Sequence, residues 1–68
     1  VKGLNTNLLK GAIASNGITQ KELAKIIGMS NNSLSRKIQG QREFTLGEVV
    51  SICKALNISE PADIFFND

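Results

Sequence analysis

Residues 19–40 read TQKELAKIIGMSNNSLSRKIQG, and this stretch decides how the chain folds. Thr19 is a good N-cap and Glu22 follows three residues later, the pattern in which hydroxyl and carboxylate cap each other's backbone N–H groups. Leu23, Ala24, Ile26 and Ile27 then recur at helical spacing until Gly28. After Met29, Ser30 caps a second helix that opens with Asn31 and Asn32 and carries only Leu34 and Ile38 as apolar residues. Gly40 ends it. The spacing predicts a helix, a three-residue turn and a second helix over about residues 19–39. Each small residue has a mechanical role. Two helices joined by so short a turn cross at about 90–120° and nearly touch, which suits Ala24. Gly28 takes positive φ without a Cβ penalty. Met29 and Leu34 tuck under the turn, while Leu23 and Ile27 tie the first helix to a core.

Working outward, Leu8, Leu9, Ala12 and Ile13 form one stripe on a helix from about Asn5 to Asn16, closed by Asn16-Gly17. Ile18 is placed to staple the next helix. On the other side, Gln41-Arg42-Glu43 make a polar connection and Phe44 plugs the core. Thr45 with Glu48 repeats the reciprocal cap at the head of a fourth helix, whose expected face is Leu46, Val49, Val50, Cys53 and Leu56. Asn57 closes that helix. Ser59 is the expected cap of a short terminal helix with Pro61 in its first turn, carrying Ile64, Phe65 and Phe66. No strand-like alternation, repeat or linker interrupts the pattern. The expected fold class is all-α, a compact bundle of five short helices forming one domain over residues 1–68.

Composition narrows the function. At 68 residues and 41% hydrophobic, with no Trp or Tyr and three Phe, the chain builds one mostly aliphatic core and no buried catalytic cavity. A scaffold this small holds only a few kcal/mol, roughly 3–5, so a partner or dimer contact matters to it. The single Cys53 excludes an intramolecular disulfide, and without His no zinc site or other cofactor is expected. No nucleophile–base pair is visible, so an enzyme is not expected, nor is a small-molecule ligand. No apolar run approaches the roughly 18–20 residues of a membrane span and no signal peptide opens the chain, which points to a cytoplasmic protein with no membrane partner. The first residue is Val rather than Met, which leaves open a piece excised from a longer protein.

Charge is unevenly placed. Residues 1–47 hold seven basic and two acidic residues, net +5, whereas residues 48–68 hold one basic and four acidic, net −3. A positive half that includes the helix pair is what a polyanion-binding surface needs. The second helix of the pair has a stripe only two apolar residues wide on an otherwise polar surface, as a helix does when it offers its face to a polar ligand. In this geometry that ligand is the base-pair edges of a major groove.

Residues 17–57 resemble the helix-turn-helix domain of the lambda repressor/Cro group, also called the XRE-like family. TQKELAKIIGMS matches the family's TQ–x–x–LA–x–x–hydrophobic–G–hydrophobic–S run. Gly40, Arg42 and then Leu46, Val49 and Leu56 match its loop and fourth helix, and SEPADIFF is similar to the end of small phage and prophage regulators. One departure stands out: most members carry a branched apolar residue where this chain has Lys37, with a polar residue next, whereas here Ile38 follows. Either the third helix is slightly rotated or the Lys stem covers core surface.

The resemblance implies roles residue by residue. Gln20 would bind a backbone phosphate together with the helix N-terminus. Asn31, Asn32 and Arg36 would read bases, Asn pairing with adenine and Arg with guanine. Ser33, Ser35 and Lys37 would make phosphate or water-mediated contacts, and Gln39, Gln41 and Arg42 would grip the facing strand's backbone. The implied function is a transcriptional regulator bound to a pseudo-palindromic double-stranded DNA operator as a weak homodimer formed on the DNA. A Cro-like protein fits better than a full-length repressor. An antitoxin, a restriction-modification controller or a protein-interaction module that has lost DNA binding are the alternatives. Phe65 and Phe66 are adjacent on a short helix and cannot both face one core, so one of them is a candidate dimer contact.

Overall fold

A computed structural model describes residues 3–66. Five helices follow one another: α1 (Thr6–Ser15), α2 (Gln20–Ile27), α3 (Asn31–Ile38), α4 (Leu46–Leu56) and α5 (Pro61–Phe65), with no strand among the described residues. Local chemistry sets most of these boundaries. Asn5, Thr19, Ser30 and Thr45 each accept a backbone N–H with the side chain, and the Thr19/Glu22 and Thr45/Glu48 pairs cap reciprocally. Gly28 (φ 76°) and Gly40 (φ 84°) turn left-handed at the ends of α2 and α3. There the N–H of the residue after the glycine reaches back to a carbonyl, Met29 to Ala24 and Gln41 to Arg36, both at 2.9 Å. Asn57 does the same for α4 at φ 55°.

The core is aliphatic apart from one aromatic pair. Leu9, Leu23, Leu34, Ile38, Ile52 and Phe65 are its most completely buried large side chains, joined by Ile13, Ala24, Phe44, Val49, Leu56 and Ile64. Phe44 and Phe65 meet edge to face, with ring centres 5.6 Å apart and planes at 86°. Ala24 is buried on α2, the helix that packs against both α3 and α4. Polar ties knit the ends together. Thr6 Oγ1 donates to the carbonyl of Ile38 at 2.9 Å, and the Asn16 amide donates to the carbonyls of Ala12 and Leu56.

Several expected faces are wrong in detail. α4 buries Val49, Ile52 and Leu56 but leaves Leu46 69% and Val50 51% exposed. At about 100° per residue the three buried residues span some 60° of the helix, and Leu46 and Val50 lie about 60–100° beyond that arc. Ile52 was absent from the expected face and is fully buried. Leu8 and Ile26 point to solvent for the same reason: each sits at the outer edge of a stripe only two or three residues wide. Ser59 is not the cap of α5. Pro61 starts that helix, and a residue before proline is pushed out of helical geometry, so Glu60 takes the N-cap position and makes no side-chain cap bond.

Candidate nucleic-acid interface

α3 is held by its narrow apolar edge. Leu34 and Ile38 are fully buried against the rest of the bundle, which leaves the opposite side of an eight-residue helix facing outward. Asn32, Arg36 and Gln39 fall within about 60° of one another around the axis and are all exposed. Asn31 and Ser35 border this arc on one side, Ser33 and Lys37 on the other. Seven of the residues expected to touch DNA therefore lie on one helix and its C-cap, in an order set by helical geometry.

Within this surface some side chains are already engaged. Gln20, half-buried at the start of α2, donates its amide to Asn31 Oδ1 at 3.2 Å. That contact locks the starts of α2 and α3 together and occupies the oxygen that a bidentate adenine contact through Asn31 would use. The side chains of Asn32 and Arg36 make no hydrogen bond or ion pair with the described residues and are free to reach outward. Along the far end runs a ladder of amides: Gln39 Nε2 donates to Ser35 Oγ at 3.1 Å, and Gln41 Nε2 donates to Gln39 Oε1 at 3.0 Å. This holds Gln41 beside the helix and leaves the Ser35 hydroxyl proton free to donate. Arg42 is exposed in the following loop.

The helix termini reinforce the sign of the surface. The first turn of α3 contains no carboxylate, and Arg36 and Lys37 occupy its last turn. Partial positive charge at the first turn is thus left unneutralised, while the two cations offset the negative end.

Lys37 stands apart. Its ammonium points across to α4 and bonds both oxygens of Glu48, at 2.6 and 2.5 Å, with the two side chains only 14% and 24% exposed. The lysine stem thereby lies against the bundle instead of reaching out from it. Glu48 is held from a second direction, because its Oε1 also accepts the Thr45 N–H at 2.9 Å. Partial burial by itself would raise the Glu48 pKa, but the bonds from Lys37 and Thr45 and the lysine charge outweigh it and leave the carboxyl below its ordinary value. This pair, between residues on separate helices, has no signature in the sequence.

Phe65 and Phe66 are now distinguished. Phe65 is fully buried on Phe44, which removes it as a surface contact, and Phe66 is 47% exposed. Cys53 is half-buried, and desolvation pushes its thiol pKa up. Among the described residues no helix is long and apolar enough to cross a membrane.

A family model described as Helix-turn-helix, of the XRE/lambda repressor-like type, matches residues 9–62. The chain belongs to that family. The match spans all of α2, the turn, α3 and α4, so DNA binding in transcription regulation is the function this family membership supports. Neither the curated proteins nor the solved structures contain a match to the chain.

Proposed function

We propose that this helix-turn-helix protein is a sequence-specific regulator of transcription that binds a pseudo-palindromic operator as a dimer, with α3 in the major groove. One observation carries the reading. The only broad polar face of α3 presents Asn32 and Arg36 side by side and unengaged, while its apolar edge is locked into the core. These are the two side chains whose hydrogen-bonding groups match adenine N6/N7 and guanine O6/N7. Asn31 is tied to Gln20 and serves positioning more than readout. Gln20, Ser33, Ser35, Gln39, Gln41 and Arg42 flank the readers where the phosphates of the two strands would run.

Eight residues of helix touch only a few base pairs, which is too little to single out an operator. A two-fold dimer on half-sites about 34–36 Å apart supplies the rest. Leu46 and Val50, one turn apart on the outer face of α4, are the exposed apolar pair best suited to that contact, with Phe66 a second candidate. So few apolar side chains support a weak dimer that assembles on DNA, in keeping with a Cro-like cytoplasmic regulator.

The test is selection of duplex fragments from the source genome, followed by binding measurements over a range of salt. A dimer making about 6–10 phosphate contacts loses about 10³–10⁵ in affinity between 50 and 200 mM salt. Flat binding over that range, or none to any duplex, sinks the proposal.

A further inference from the structure

We propose that Glu48 limits the sequence-independent DNA affinity of this domain, and its salt dependence, by holding the Lys37 ammonium away from the DNA backbone. The inference rests on the reading that α3 enters the major groove. On such a helix Lys37 lies about 100° around the axis from Arg36, on the flank of the base-facing arc rather than at its centre. A flexible lysine there is a natural phosphate ligand. The structure instead commits it to Glu48 through two short charge-assisted bonds.

The carboxylate is a rigid competitor. Its oxygen is already fixed by the Thr45 N–H, and Thr45 Oγ1 caps the Glu48 N–H in return at 3.1 Å. Glu48 therefore cannot follow the lysine outward, and Lys37 must break both bonds to reach a phosphate. Every duplex offers phosphates, so a freed Lys37 would strengthen binding to all sequences alike. Withholding it lowers affinity for operator and random DNA by the same factor, so the domain releases every duplex at a lower salt concentration than it otherwise would.

Glu48→Gln tests this, because glutamine also serves at the third position of a reciprocal cap and preserves the start of α4. Dissociation constants are measured on cognate and scrambled duplexes between 50 and 200 mM salt, with a thermal melt to confirm folding. The variant is expected to bind scrambled DNA more tightly and to show a log–log salt slope steeper by about 0.9 per protomer. Its advantage over the parent then shrinks about 3.5-fold per protomer across that range. The ratio of scrambled to cognate dissociation constants stays at the parental value, because a phosphate contact is common to both duplexes. Adding Lys37→Met to Glu48→Gln returns the slope to the parental value, whereas Lys37→Met alone leaves it unchanged. An unaltered slope in folded Glu48→Gln overturns the proposal, as does a shallower slope in Lys37→Met. The second result decides the matter even if Glu48→Gln fails to fold. A parent that binds no duplex at all overturns the underlying DNA reading, which separates that failure from this one.

Discussion

Truncating Phe65 to alanine should nearly or wholly unfold the protein, while the same change at its neighbour Phe66 should leave it standing. Phe65 is fully buried and stacks edge to face on Phe44, so Phe65→Ala removes a ring from the centre of the core and strips Phe44 of its partner. Phenylalanine-to-alanine changes in cores cost about 3–5 kcal/mol. A scaffold of 68 residues holds only roughly 3–5 kcal/mol in total. The loss thus takes more than half, and up to all, of the available stability. Since 1 kcal/mol shifts the melting temperature of a domain this size by about 4–8 °C, the midpoint falls by at least about 12 °C or the cooperative transition vanishes. Phe66 is about half exposed, and surface changes of this kind stay within about 0.5 kcal/mol. Far-UV circular dichroism, followed against temperature and urea, measures both variants. Similar losses for the two, or a fall of less than about 1.5 kcal/mol for Phe65→Ala, would refute the placement of the aromatic pair.

Three further outcomes are expected. Asn32→Ala and Arg36→Ala each cost about 1–3 kcal/mol on the cognate duplex and relax one base preference, whereas Arg42→Ala weakens all duplexes alike and lowers the salt slope by about one; competition binding against single-base variants separates the two behaviours. Replacing both Leu46 and Val50 by glutamate should abolish two-protomer operator complexes in gel-shift and sedimentation experiments without lowering the melting temperature; a normal two-protomer complex would exclude that face as the dimer contact. Glu48 also gives stability a pH dependence. Its pKa is depressed in the folded protein, so its contribution is present above the ordinary carboxylate value of 4.5 and is lost as pH falls through the lower folded value. Glu48→Gln should therefore lose less stability than the parent when melts are compared between pH 6 and pH 3, and parallel curves would remove the ion pair as the cause.

Local rules made the helices and the turn readable in advance. Thr19, Ser30 and Thr45 can satisfy backbone N–H groups only a few residues away, and Gly28 and Gly40 take up a conformation that other residues avoid, so these boundaries follow from nearest-neighbour chemistry. The polar face of α3 was equally legible, because its two apolar residues, Leu34 and Ile38, fix which side faces inward. Ser59 misled because a plausible capping hydroxyl competes with the stronger steric constraint of Pro61 two residues on.

Tertiary structure decided what helical spacing leaves open. α4 has apolar residues around much of its circumference, and only its packing selects Val49, Ile52 and Leu56 for the core and turns Leu46 and Val50 outward. Phe65 and Phe66 are chemically identical, and the position of Phe44 across the core chooses between them. Lys37 looked like a phosphate ligand by sequence and is bound to Glu48 in the fold, eleven residues away on another helix. Periodicity reports which side of a helix is apolar, but a pairing between side chains of two helices depends on their crossing and rotation, and these arise only when all five pack around one core.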